Sequence, residues 1–351
     1  MTNSLLVGHG GRWAAWFAVV FLAGLLLADA ARATLTGRPS AAPAKARPPV
    51  LVLNSRDANV SLVDAETWTE RARVPTGKEP HHLYLTPDER SVIVANAGSN
   101  SLTFMDPATG AVQRTLKDIA DPYHLRFSPD MKWFVAASNR LNRIDIYRWQ
   151  PQQALPLQLV RRLETPRTPS HLYIDSRSSV VYGTLQDSDE LIAIDLPTQA
   201  VRWKIKVGRM PADLFLTRDD RYLLVALTGD RVVEIYDVAG PQPRLMQRLP
   251  TGEGAHSFRS RGDGRHVFLS NRVASTISLI DLQTFSVVAS LPGPSGPDDM
   301  DVTADGKTLL VASRWAGKLS VIDIDSRRLL RQVRVGRSPH GVWTLDHAPR
   351  H

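Results

Sequence analysis

Residues 80–106 read PHHLYLTPDERSVIVANAGSNSLTFMD. Pro80-His81-His82-Leu83 opens a short strand, Thr86-Pro87-Asp88-Glu89 supplies turn chemistry, and Ser91 to Ala95 is an apolar run too short for a helix. Leu102 to Asp106 reads as a third strand that ends in Asp. A basic and polar segment follows, so the unit predicts four strands in a row.

The opening anchor recurs at Pro122-Tyr123-His124-Leu125, Pro169-Ser170-His171-Leu172, Pro211-Ala212-Asp213-Leu214, Gly254-Ala255-His256-Ser257, Pro297-Asp298-Asp299-Met300 and Pro339-His340-Gly341-Val342. Read this way, the intervals are 42, 47, 42, 43, 43 and 42 residues. A period of that length is the signature of an all-β propeller with one four-stranded blade per repeat. The long interval holds the insertion WQPQQALP at 149–156. Third strands end at Asp64, Asp106, Asp195, Asp237, Asp281 and Asp323, where a carboxylate is expected to bond its own turn backbone. Fourth strands carry charges such as Arg71, Arg73, Arg161 and Arg162, which protect an open sheet edge from other chains. Val50 to Ser55, Val60 to Asp64 and Thr67 to Val74 read as second, third and fourth strands with no first strand before them. Pro339 to Leu345 supplies it. The expectation is a seven-bladed β-propeller over residues 50–351, closed by N- and C-terminal strands in one composite blade.

Ahead of the propeller, Trp13 to Ala28 is a run of 16 uncharged, mostly apolar residues after Arg12. The triplets Ala28-Asp29-Ala30 and Ala31-Arg32-Ala33 fit small-x-small cleavage sites. Residues 1–33 are therefore a signal peptide or a signal anchor, and Pro- and Ala-rich residues 34–49 are a flexible linker. Either reading places the propeller in the periplasm or outside the cell, with the membrane touched only through an uncleaved anchor. The net charge of +8 splits into +4 from residues 1–49 (five basic, one acidic) and +4 from the rest, which gives no footprint for nucleic acid. The chain has no cysteine, which excludes disulfides, thiolate metal sites and C-x-x-C-H haem attachment.

The repeats resemble the YVTN-type seven-bladed propeller proteins in Pro80 to Leu83, Val94-Ala95-Asn96 and Leu102 to Asp106. The chain is also similar to the haem-binding propeller superfamily of the cytochrome-type nitrite reductases and their periplasmic haem-maturation relatives. That resemblance implies a His axial ligand at one of the anchors, without saying which.

Propeller topology gathers the anchors around the central channel. The third anchor position offers His82, His124, His171, Asp213, His256 and Asp299 as metal ligands, with His81, His340 and Asp298 beside them. Loops after second strands add Arg56, Arg140, Arg272 and Arg314, with Asn96 close by, as candidates for an anionic ligand. Six of the ten histidines fall within the anchors, although repeats copied from one ancestor are not independent. The plainer alternative is that each imidazole bonds the backbone of the neighbouring blade, and that the arginines are solvated surface. Imidazole, carboxylate and guanidinium together suit a transition metal, a haem-type tetrapyrrole or a small anion. No G-x-S-x-G, H-E-x-x-H, P-loop or dinucleotide fingerprint occurs, so binding is read ahead of catalysis. The alternatives are a metal-dependent lactonase-like hydrolase and a scaffold for a periplasmic protein partner. Trp133, Trp149, Trp203, Trp315 and Trp343 are expected in core or interblade packing.

Overall fold

The computed structural model describes residues 47–350, so the expected leader and most of the linker lie outside the described residues. The described residues form seven four-stranded antiparallel sheets, each a blade. Blades 1 to 6 open with first strands Pro80–Leu85, Pro122–Phe127, Pro169–Ile174, Pro211–Leu216, Ala255–Ser260 and Pro297–Val302. Blade 7 joins Pro339–Trp343 to Val50–Asn54, Asn59–Val63 and Glu70–Pro75, in that order from the axis outward. Helix is confined to two three-residue turns among the described residues, and no helix there is long and apolar enough to cross a membrane.

Burial follows strand position. Second strands such as Val92–Asn96 and Val180–Leu185 are buried along their whole length, because a blade in a ring has a neighbour on both faces. Fourth strands are exposed, as in Val112–Lys117, and keep their charges on the free edge. The terminal Asp residues bond their own turns: Asp64 Oδ1 accepts from the Glu66 and Thr67 amides at 2.7 Å each. Asp106 does the same for Ala108 and Thr109, and Asp281 for Gln283 and Thr284.

Ring closure is visible in the packing. Leu51 and Leu53 of blade 7 share a cluster with Leu83, Val92 and Val94 of blade 1, while Val50 and Val52 pack with Leu310, Leu319 and Val321 of blade 6. Trp343, on the last strand, is 1% exposed within the first cluster. Trp133, Trp149 and Trp203 are buried as expected. Trp315 is not: it sits 57% exposed on the hairpin after the second strand of blade 6, against Gly296.

Candidate functional site

Each first strand is entered through a residue in the left-handed region: Glu79, Asp121, Thr168, Met210, Gly254, Gly296 and Ser338. This corrects the anchor alignment in blade 5. Gly254, at φ +75°, occupies the entry position, and Ala255 stands where the other blades carry proline. Strand pairing agrees, since Ala255 faces Asn271 as Pro80 faces Asn96 and Pro297 faces Ser313. The blade 4 to blade 5 interval is thus 255 − 211 = 44, and His256 belongs to the second position, with Ser257 at the third. A register shift follows the anchor in every blade, for example between Pro80 and Leu83. Such a bulge breaks strict alternation, so second- and third-position side chains both reach the axis and form two stacked rings.

The ring nearer the strand entries is a plug. Asp298, fully buried, receives Arg272, an Arg314 Nη1 bond at 3.0 Å and His256 Nε2 at 3.0 Å. Burial alone would raise this carboxyl, but Arg272, His340 and His256 hold it well below the usual carboxylate range. Burial and Arg272 press the His256 imidazole down to about 4 against that carboxylate. His81 fills the remaining space, 4.7 Å from His340 and 4.8 Å from Tyr123 between ring centroids.

The second ring holds three facing imidazoles. His82 lies 4.6 Å from His124 and 4.9 Å from His171, and His124 lies 4.7 Å from His171. One ring nitrogen from each of the three lies within 4.8 Å of the other two. His82 Nδ1 is 3.2 Å from Asp299, an arrangement that directs Nε2 toward the other rings. Ser170 Oγ contacts His171 Nδ1 at 3.0 Å. His82 Nε2 and His171 Nε2 are buried without a hydrogen-bond partner. His124 behaves differently: its Nδ1 accepts the Leu172 amide of blade 3 at 3.3 Å, as the plainer alternative expects. Asp213 likewise accepts the Phe258 amide of blade 5 at 2.8 Å. Burial, reinforced by neighbouring imidazoles, keeps His124 and His171 well below the usual imidazole range, so both are neutral at pH 7. Burial also pushes the Asp213 carboxyl up to about 6.

A cavity of about 450 Å³ starts at this second ring and runs toward the far ends of the first strands. That is within the size range of small-molecule sites. His82, His124, His171, Asp213 and Asp299 line its inner end, and Tyr84, Arg126, Tyr173, Phe215 and Phe258 line its sides. His347 and Arg350 border it from the C-terminal segment. Buried Arg259 donates to Asp301 at 2.9 Å and to the Ala348 carbonyl at 2.7 Å, while Arg350 reaches Asp301 at 2.7 Å.

The arginines singled out in the sequence lie on the other side of the rings. Arg272 and Arg314 are spent on Asp298. Arg140 spans Asp121 and Glu79 near the surface, and Arg56 is exposed. Asn96 is buried within blade 1, where its side-chain amide donates to Ser101 at 3.2 Å and Thr103 at 2.9 Å. None of the five borders the cavity.

No curated protein matches the chain. Among solved structures, the periplasmic gluconolactonase PpgL of Pseudomonas aeruginosa is 17% identical, with a TM-score of 0.72 over 86% of this chain and 99% of that one. Dihydro-heme d1 dehydrogenase NirN, in complex with DHE, is 18% identical, with a TM-score of 0.65 over 89% of this chain and 78% of that one. A functionally unknown protein from Desulfotomaculum acetoxidans is 15% identical, with a TM-score of 0.72 over 84% of this chain and 98% of that one. At these identities the likeness is one of fold, and this fold hosts many activities. The sequence profile that matches residues 10–350 is the YNCE-like beta-propeller, and the chain belongs to that family.

Proposed function

We propose that this protein is an exported binding propeller that seats a transition metal, free or within a tetrapyrrole, on the imidazoles of the second ring and a small anionic ligand in the cavity below. The carrying observation is that His82 Nε2 and His171 Nε2 are buried with no hydrogen-bond partner, on rings whose centroids lie 4.9 Å apart. A buried polar atom left unpaired costs roughly 1–3 kcal/mol, and a ligand removes that cost. Asp299 would serve as the outer carboxylate that fixes the His82 tautomer. His124 would join only by releasing its long bond to Leu172, which makes it the weakest of the three. Export rests on the leader pattern and on the likeness in fold to PpgL, a periplasmic gluconolactonase. The DHE complex of NirN supports a tetrapyrrole as one form of the ligand.

Titration of metal-free protein with Zn, Cu, Fe and haem tests this reading by calorimetry and absorption. His82→Ala and His171→Ala should each weaken binding far more than His124→Ala. Failure of the parent to bind any of the four would overturn it and leave a scaffold. One observation favours a lactonase-like second reading: Asp213, raised to about 6, borders the cavity beside the ring, where a general base would stand. Metal-dependent lactone hydrolysis that disappears in Asp213→Asn would establish it.

A further inference from the structure

Among the described residues, Arg126 is the one guanidinium of the cavity wall that the fold holds in place without a contacting carboxylate, although Asp213 lies near enough to feel its charge. Its guanidinium carbon lies 4.7 Å from the ring centre of Tyr84 and 5.1 Å from that of Tyr173. Its Nε donates to the Leu172 carbonyl at 2.8 Å, across the boundary between blades 2 and 3. Two aromatic faces and one backbone bond therefore fix the plane of the fork at the wall of the cavity, which Arg126 borders. The other cavity guanidiniums, Arg259 and Arg350, share Asp301. Among the described residues, no carboxylate lies within ion-pair distance of Arg126. Asp213, which borders the same cavity, has its oxygens engaged by the Leu214 and Phe258 amides. Asp299 is engaged by His82 and Ser257.

We infer that the cavity recognises a planar carboxylate on a flat apolar body, with Arg126 as its anion receptor and the Phe215 and Phe258 rings as walls for the body. A guanidinium presents parallel N–H donors that match the two oxygens of a carboxylate, and a fork already held rigid loses little freedom when it binds. Its stacked tyrosines also keep water from solvating the charge on two sides, so a partner anion gains more here than at the surface. This inference rests on the reading of the cavity as a ligand site, but it does not require a metal on the imidazole ring.

The test uses the full propeller, metal-free and zinc-treated, with benzoate, its neutral isostere benzamide, and inorganic phosphate as calorimetric probes. Benzoate is expected to bind at least tenfold more tightly than benzamide. Arg126→Gln should abolish that preference, a loss of roughly tenfold to a hundredfold for benzoate, with zinc binding unchanged. Arg126→Lys, which keeps the charge but not the fork, should retain only part of the preference; it decides the matter should the Gln variant fail to fold. Equal affinity for benzoate and benzamide, no binding of either, or phosphate binding more tightly than benzoate each overturns the inference. Benzoate binding by a protein that takes no zinc would sink the metal reading and leave this one standing.

Discussion

Trp343→Ala offers a direct measure of how far stability depends on the last strand. Trp343 is 1% exposed, pairs with Leu51 in the composite blade, and packs on Leu53, Leu83 and Val92 at the seam with blade 1. Truncating a fully buried Trp costs about 3–5 kcal/mol, the lost transfer energy plus the cavity left behind. For the roughly 300 residues of the ring, an unfolding entropy of about 2.1 cal/mol/K per residue gives about 0.6 kcal/mol per degree, so the melting temperature should fall by about 5–8 °C. Trp315→Ala is the control. With more than half its surface in solvent, its loss should stay within about 0.5 kcal/mol, or a degree. Differential scanning calorimetry of the two variants beside the parent reads the contrast, and equal shifts would refute the claim that the C-terminal strand locks the ring.

Two further predictions concern charge. The His256 imidazole, lowered from 6.5 to about 4, stays neutral in the folded protein while the unfolded chain takes up a proton below pH 6.5. Its share of stability is therefore complete above pH 6.5 and falls by about 3 kcal/mol on the way down to pH 4, so His256→Asn should flatten that limb of a stability-pH curve; an unchanged slope excludes the assignment. Asp301→Ala leaves the buried Arg259 guanidinium, already lowered to about 10 by burial, without its counterion. The expected cost is about 3–5 kcal/mol, with faster amide exchange across residues 344–350, and normal exchange there would show that the segment is held by other contacts.

The period carried the fold because every blade repeats one burial problem, and spacing is all that is needed to see it. The site was only half legible. Blade 5 replaces the anchor proline with Ala255, which let Gly254 pass for the anchor and moved His256 into the wrong ring. The open end of the channel could not be read from spacing either, because it depends on Arg272 and Arg314 turning inward to Asp298. A signal for the cavity was nonetheless present: the fifth position of successive anchors reads Tyr84, Arg126, Tyr173, Phe215, Arg259, Asp301 and Trp343. Two residues beyond the third position, that column points to the same side of each strand.

The plug around Asp298 packs buried side chains directly behind the imidazole ring, and on the proposed binding reading that geometry imposes an order on traffic. An ion on the innermost imidazoles would then arrive before an organic guest and leave after it, because both would enter from the cavity side. Occupancy of the outer part would then lengthen the residence of the inner ion even where the two never touch, so release kinetics rather than affinity would report that the ring is sealed behind it.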